Sequence, residues 1–185
     1  MKEAPVPCSP LSDAQWPSEI ADLREGFAGK LNVYRTMAHH PALVRAWAPL
    51  RQHIVMENSL GFESLEIVIL RAAHRIESDY EWNQHVSRAR ALKMSDARIA
   101  AVRGMPEGND GLLVRAVDAL FDRRCLALSQ EAELAEVFGR HAVIDLIATV
   151  GFYSVLGYLL KTYETPLDED IASALAAKPF RMGNS

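Results

Sequence analysis

Two carboxylates and an imidazole recur at helical spacing in one short part of this 185-residue chain. Glu81 and His85 are four residues apart, so on a helix they would share one face about one turn apart. Histidine titrates near physiological pH and a neighbouring carboxylate tunes it, so such a pair can move protons. Glu66 precedes the pair in an apolar segment, where a carboxylate is costly unless it is paired or used. We therefore predict Glu66, Glu81 and His85 as the catalytic groups.

Each of these residues also has a purely structural interpretation. Ser78 and Glu81 match a capping box, in which the serine caps a helix and the glutamate side chain binds back to the serine amide. Glu66 could form an ion pair with Arg71 or Arg75. His85 lies at the edge of an apolar stripe and could be a core histidine with its hydrogen bonds satisfied.

The same residue types also occur in metal sites. A Glu-x-x-x-His element on a helix could supply two ligands, and Glu66 a third. Carboxylate sites in helical bundles use Glu-x-x-His on two separate helices instead. The sequence contains one element, with the other spacing, so no metal and no other cofactor is predicted.

The elements that must position these residues are two consecutive helices. Apolar residues recur at helical spacing over Phe62 to Ile76 and again over Asp79 to Leu92. The capping signal at Ser78 separates the two stripes. This pattern predicts an antiparallel or sharply bent helix pair with its break near Glu77 and Ser78.

The rest of the chain also predicts helices. Glu19 to Leu31 reads as a first helix, and residues 103–111 form the clearest turn-rich break. No alternation of polar and apolar residues indicates a strand, so the fold is predicted to be all-α, a bundle of about eight helices. The predicted organisation is a Pro-rich extended arm (1–18), one helical domain (19–177) with a site-bearing half (40–105) and a second half (110–177), and a loose tail (178–185).

Composition narrows the possible partners and location. The formal net charge is −4 and no cluster of Lys and Arg stands out, so nucleic acid is not an expected partner. The two cysteines, Cys8 and Cys125, belong to no C-x-x-C pair, which favours free thiols in the cytoplasm. The amino-terminal residues lack the apolar run of a signal peptide. Ala142 to Leu160 is long and apolar, but Asp145 and several hydroxyls favour a helix buried in protein over a membrane span.

Glu66, followed twelve residues on by Ser78-x-x-Glu81-x-x-x-His85, resembles the core of the carboxymuconolactone decarboxylase and alkylhydroperoxidase D (AhpD-like) superfamily. The peroxidase branch carries the same glutamate and spacing, then Cys-x-x-Cys-x-x-x-His. Here Ser78 and Glu81 stand at the two cysteine positions. The decarboxylase branch is similar at the second position, where it has glutamate, and it keeps the histidine. The resemblance covers about residues 40–105 and implies an AhpD-like helical bundle.

The missing cysteines argue against thiol peroxidase activity, which needs a nucleophilic thiolate and a resolving partner. A peroxidase would require Cys8 or Cys125 to reach the site. The resemblance implies instead a cofactor-free lyase of the carboxymuconolactone decarboxylase type. It would carry out decarboxylation or isomerisation by proton transfer on a small carboxylated or lactone substrate.

In that interpretation His85 is the acid/base, Glu81 orients it and holds its tautomer, and Glu66 completes a proton relay. Tyr80, Trp47 and His53 are weaker candidates for the substrate-binding wall, and Arg51 or Arg71 could hold a substrate carboxylate. The expected assembly is a homo-oligomer (trimer, dimer or hexamer), with Glu19 to Leu31 and Ala142 to Leu160 in the subunit contacts. The alternative function is a catalytically inert helical oligomer of the same fold.

Overall fold

The computed structural model describes residues 7–180, which contain helices and no strand. This confirms the all-α prediction, although the helices are more numerous than the expected eight or so. Two 3-10 turns, a π-helical segment and ten α-helices follow one another along the described chain. The 3-10 turns span Asp13–Gln15 and Ser18–Leu23, the π-helical segment spans His53–Glu57, and the α-helices are α1 Phe27–Lys30, α2 Asn32–Met37, α3 Pro41–Gln52, α4 Phe62–Ile76, α5 Asp79–Ala91, α6 Asp96–Ala101, α7 Gly108–Arg123, α8 Leu128–Phe138, α9 Arg140–Thr162 and α10 Glu169–Ala177.

Helix α4 lies at the centre of the fold. It packs against α5, α7 and α9, and its middle is buried without interruption from Leu65 to Ala73. Burial on so many sides explains why its sequence is apolar on most of its surface. Helix α9 approaches α4 closely at Gly157, where an added Cβ would lie 2.8 Å from the Ile76 side chain. A larger residue at position 157 would therefore force the two helices apart.

The connection between α4 and α5 consists of Glu77 and Ser78. Glu77 adopts a left-handed conformation with φ of 57°, and the Ser78 amide donates to the Ala73 carbonyl at 3.0 Å. This is the geometry with which helices commonly end. Ser78 then caps α5. The short connection folds α5 back along α4, which confirms the predicted helix pair and its break.

The predicted helix over Glu19 to Leu31 is wrong as a continuous element. The segment is divided between the 3-10 turn Ser18–Leu23 and the short helix α1. Gly29 explains the division, because a Cβ there would lie 1.9 Å from the Arg24 carbonyl oxygen. The chain leaves the helical conformation at Gly26, where ψ is −155°, and this turn brings the Arg24 carbonyl against Gly29.

The amino-terminal arm packs on its own chain in its described part. Leu11 is buried, and its amide donates to the Arg35 carbonyl on α2 at 3.3 Å. The Arg35 side chain returns a hydrogen bond of 2.7 Å to the Leu11 carbonyl. Residues 1–6 of the predicted arm, and 181–185 of the predicted tail, lie outside the described residues.

Asp168 anchors the carboxyl-terminal segment before α10. This buried carboxylate accepts hydrogen bonds from the Asn32 amide at 2.7 Å and the Tyr80 hydroxyl at 2.5 Å. The Gln84 amide donates to it as well. Asp168 therefore joins the start of α2, the site-bearing helix α5 and the start of α10 at one point.

Helix α9 is long and apolar enough to span a membrane by length and composition, with a mean hydropathy of 1.8. Core helices of soluble proteins pass the same test, and 56% of this stretch is buried. One face of the helix carries exposed apolar residues in two pairs, which repeat after eleven residues, or about three helical turns. They are Ile144, Ile147, Val155 and Tyr158, with exposed fractions between 45% and 60%.

We expect the apolar face of α9 to be covered in a homo-oligomer, because a continuous exposed apolar stripe marks an interaction surface. Light scattering should then give a mass above the 20.5 kDa of one chain. Ile147→Glu should shift the mass towards the monomer, whereas Met105→Glu, in the exposed loop before α7, should not. A wild-type monomer at micromolar concentration would contradict this expectation.

Asp168→Ala should destabilise the protein by about 2–5 kcal/mol, because it leaves three donors in a buried place without an acceptor. Urea unfolding measures the loss. Asp170→Ala is the matched control, since Asp170 is exposed in the first turn of the same helix. Equal losses in the two variants would show that Asp168 does not anchor the segment.

Candidate functional site

Glu66, His85 and Glu81 converge in the interior between α4 and α5. The Nδ1 atom of His85 lies 2.6 Å from Oε2 of Glu66, and its Nε2 atom lies 3.6 Å from Oε2 of Glu81. All three residues are buried, with exposed fractions of 6%, 2% and 3% for Glu66, His85 and Glu81. Because a carboxylate can only accept, the short bond assigns the ring proton to Nδ1 and leaves Nε2 facing Glu81.

This geometry distributes the roles differently from the sequence-based prediction. Glu66, and not Glu81, makes the short bond that fixes the tautomer of His85. Glu66 is also not paired with Arg71 or Arg75, which bind Asp118 instead. The distance of 3.6 Å from His85 to Glu81 exceeds that of a hydrogen bond. Catalytic contacts are often long in an unliganded site and shorten when a ligand closes it.

The helix cap does not occupy the Glu81 side chain. Ser78 accepts from the Glu81 amide at 3.4 Å, which is one half of a capping box. The other half is absent, because the Ser78 amide donates to the Ala73 carbonyl that ends α4. Oε1 of Glu81 is buried without a hydrogen-bond partner. A buried polar atom in this state is rare and points to a missing partner.

Glu81 and His85 line a small, partly enclosed cavity. The volume open to the centre of a water molecule is about 20 Å³, so the cavity has room for about one water. Its apolar lining is Leu31, Val33, Val55 and Leu156, and its polar lining is Tyr34, Arg51, Tyr80, Glu81, Gln84, His85, Arg88 and Tyr153. Elements far apart in the chain therefore meet at the predicted catalytic pair.

Burial controls the protonation of this site. Desolvation raises the pKa of Glu81 to about 8, with the charges of Glu66 and Asp168 adding to the effect and Arg88 opposing it. Desolvation lowers the pKa of His85, against the opposing charge of Glu66. Burial also raises the pKa of the Tyr34 and Tyr153 hydroxyls. Tyr80, which also lines the cavity, has its pKa raised by burial too, so at neutral pH the cavity presents a carboxylic acid, a neutral imidazole and three neutral phenols.

The other predicted site residues are distributed unevenly. Tyr80 lines the cavity, where its hydroxyl is held by Asp168. Trp47 lies outside the lining and stacks on Phe152, with the ring centroids 4.6 Å apart. His53 also lies outside it and binds Asp145 at 2.7 Å. Arg51 lines the cavity, and Arg71 does not.

The sequence reasoning missed Tyr34, Gln84, Arg88 and Tyr153. Arg88 could have been found, because Glu81, His85 and Arg88 follow each other at helical steps of four and three on one face of α5. Tyr34 and Tyr153 gave no such signal. They reach the cavity from α2 and α9, which only the tertiary fold brings next to α5.

No cysteine lines the cavity, and no group of three His, Cys, Asp or Glu side chains within residues 7–180 is arranged to hold a metal ion. Cys125 is exposed after α7, and Cys8 is part of the amino-terminal arm. The groups available for chemistry in the cavity are therefore acids, bases and hydrogen-bond donors.

The raised pKa of Glu81 predicts a dependence of stability on pH. The folded protein keeps a proton on Glu81 up to about pH 8, whereas the ordinary value is 4.5. Between these values the unfolded chain holds fewer protons, so the free energy of unfolding contributed by Glu81 falls as the pH rises. Glu81→Gln should gain stability over wild type across this window, by up to about 1.4 kcal/mol per pH unit.

Urea unfolding of both proteins from pH 5 to pH 9 measures this difference. Taking the difference between the variants also isolates Glu81 from His85, whose lowered pKa has the opposite effect near its ordinary value of 6.5. Glu136→Gln, on the exposed side of α8, is the control and should show no trend. Parallel curves for wild type and Glu81→Gln would mean that Glu81 is not held protonated.

Comparison with known proteins places this site in a recognised setting. Residues 41–119, which include Glu66, Glu81 and His85, match the carboxymuconolactone decarboxylase family. No curated protein matches the sequence. Solved structures with a similar fold include an uncharacterised peroxidase-related protein from Silicibacter sp. TM1040, with a TM-score of 0.73 and 12% identity over 92% of this chain and 97% of that one.

Two further solved structures show the same fold. A cysteine-to-alanine variant of the debrominase Bmp8, in complex with 2,3,4-tribromopyrrole, has a TM-score of 0.71 and 16% identity, over 92% of this chain and 96% of that one. The AhpD core of a peroxidase-related protein from Ralstonia eutropha JMP134 has a TM-score of 0.71 and 15% identity, over 89% and 95%. The segment that carries the site thus matches the carboxymuconolactone decarboxylase family, and the chain shares its fold with AhpD-like peroxidase-related structures along most of its length.

Proposed function

We propose that the protein is a cofactor-free enzyme that decarboxylates or isomerises a small carboxylated or lactone substrate by proton transfer. The observation that carries this proposal is the unpaired Glu81 carboxyl group in the cavity wall, kept protonated by burial and backed by the His85–Glu66 pair. A positioned acid with a pKa near the working pH is what proton transfer requires. Because no protein group binds this oxygen, it is available to water or to a substrate in the cavity.

In a decarboxylation, the bond between the carboxylate and its carbon breaks and carbon dioxide leaves. The electron pair moves into an adjacent conjugated carbonyl to form an enolate. The neutral hydroxyls of Tyr34 and Tyr153 can donate to that oxygen, and Glu81 gives its proton to the carbon. The overall reaction consumes one proton and needs no oxidant or reductant.

The relay restores the proton of Glu81. Once Glu81 is ionised, His85 is flanked by two carboxylates, which raises its affinity for a proton. His85 can then take a proton from solvent on Nε2 and pass it to Glu81, while Glu66 holds the ring through Nδ1. An isomerisation would use the same groups, with Glu81 and His85 removing and returning the proton at two carbons of the substrate.

The debrominase Bmp8 structure, with a bromopyrrole bound, supports a small-molecule substrate for this fold. The reaction of Bmp8 is not assigned to this chain, since a sequence identity of 16% shows only that the fold is shared. Thiol chemistry is disfavoured because no cysteine lines the cavity. Two free cysteines, Cys8 and Cys125, fit a reducing cytoplasm as the working location.

The second candidate is a catalytically inert homo-oligomer of the same fold. The small volume of the cavity favours it, because about 20 Å³ cannot hold a substrate unless side chains move. The two candidate functions predict different effects of Glu81→Gln. An inert protein would gain stability from Glu81→Gln at neutral pH and lose nothing, whereas an enzyme would lose its activity.

The decisive experiment is a screen of carboxylated lactones and β-keto acids for release of carbon dioxide. With a substrate in hand, Glu81→Gln and His85→Ala should each lower the rate about 100-fold or more, as removal of a positioned acid or base does. Wild-type kcat/KM should fall as the pH rises through about 8, because Glu81 then loses its proton. His53→Gln is the matched control and should keep its activity, because His53 binds Asp145 outside the cavity. Full activity in Glu81→Gln would remove the proposed acid.

A further inference from the structure

Two arginines share the cavity with the proposed acid. Arg51 comes from the end of α3, and Arg88 lies one turn after His85 on α5. Within residues 7–180 the Arg88 side chain makes no hydrogen bond and no ion pair, and its ionisable neighbours are Tyr153, Glu66, Tyr34 and Glu81. Nε of Arg51 is buried without a hydrogen-bond partner, and its guanidinium lies 4.6 Å from the centre of the Phe27 ring.

The nearest carboxyl groups do not form ion pairs with these arginines. Oε2 of Glu66 is bound by His85, and Asp168, behind the cavity wall, accepts from three donors. Glu81 is held neutral at pH 7. An arginine is always charged and can only donate, so it requires an acceptor when water is excluded. The Tyr34 hydroxyl is a hydrogen-bond partner of Arg51, but no carboxylate pairs with either guanidinium group in the cavity wall.

The remaining lining of the cavity indicates the shape and polarity of the rest of the ligand. Four aliphatic side chains line the cavity, and the Tyr153 ring meets His85 edge to face with centroids 5.0 Å apart. Such walls suit a flat apolar body. We propose that the side chains of the cavity move apart to admit a small ligand, whose carboxylate Arg51 and Arg88 bind together and whose flat apolar body lies among the aliphatic side chains and Tyr153.

The role of this carboxylate site rests on the proposed function, but a binding measurement tests the site without any enzyme activity. In a decarboxylation the carboxylate on the arginines is not the one that leaves. Two guanidinium groups would stabilise a leaving carboxylate more strongly in the ground state than in the transition state, where its charge is being lost. The activation barrier for decarboxylation would therefore rise. The arginines instead hold a charge that persists through the reaction, and they position the reacting carbon against Glu81.

Isothermal titration with 2-furoate tests the site. The probe is a flat five-membered ring with one carboxylate, and 2-furamide is its neutral counterpart. Wild type should bind 2-furoate at least about tenfold more tightly than 2-furamide, which corresponds to about 1.4 kcal/mol. Arg88→Met and Arg51→Met should each weaken 2-furoate binding at least about tenfold and leave 2-furamide binding nearly unchanged. Methionine keeps the apolar stem of each side chain and removes the charge.

Two controls keep the experiment decisive. Arg140→Met removes an exposed arginine at the start of α9 and should bind 2-furoate as wild type does. If Arg88→Met fails to fold, Arg88→Lys keeps the charge but loses the two-point geometry, and it should weaken 2-furoate binding by an intermediate factor. Circular dichroism checks the helical fold of every variant.

Glu81→Gln separates this inference from the proposed function. Normal 2-furoate binding by Glu81→Gln, with Arg88→Met impaired, supports the carboxylate site even if no wild-type activity is ever found. Decarboxylase activity with Arg88→Met and Arg51→Met unchanged in 2-furoate affinity and in KM would overturn the carboxylate site alone. Failure of wild type to bind 2-furoate at about 10 mM, a binding free energy weaker than about 3 kcal/mol, would also overturn it.

Discussion

The buried bond between Glu66 and His85 is the interaction on which the site depends. It joins the central helix α4 to α5 across the interior, with 2.6 Å between the two side chains. A carboxylate at the centre of an apolar helix is unfavourable unless it has a partner of this kind. The bond supplies that partner, and it also fixes which nitrogen of His85 carries the proton. This one contact thus offsets the cost of burying the Glu66 carboxylate and determines the tautomer of His85.

Glu81 is the opposite case, since the structure leaves it incompletely satisfied. The chain could have used this side chain to cap α5, but the end of α4 has already taken the Ser78 amide. The tight two-residue connection between the helices is therefore what leaves the carboxyl group available. The left-handed conformation of Glu77 therefore leaves Glu81 without a full capping role and available as a candidate acid.

The arrangement of the helix pair could accommodate different chemistry at the same place. It brings one position, here Glu81, next to a histidine supported by a glutamate on the preceding helix. With a cysteine at that position the histidine would serve a thiolate. Here it lies instead beside Glu81, a buried carboxyl group whose pKa burial raises. Fold alone therefore does not decide function, and the side chains grafted onto the helix pair do.

The sequence by itself determined the helix pair, its break at Glu77 and Ser78, and the candidate residues Glu66, Glu81 and His85. Helical periodicity and capping are local properties, so spacing along the chain encodes them. Only the tertiary structure decided that Glu66 and not Glu81 holds the His85 ring, that the capping box is half formed, and that Tyr34, Arg88 and Tyr153 join the site. It also divided the predicted helix over Glu19 to Leu31, because the close approach at Gly29 is a contact between turns that periodicity cannot show. Burial decided the protonation of Glu81 for the same reason: desolvation depends on every element packed around the carboxyl group, and those elements come from across the whole chain.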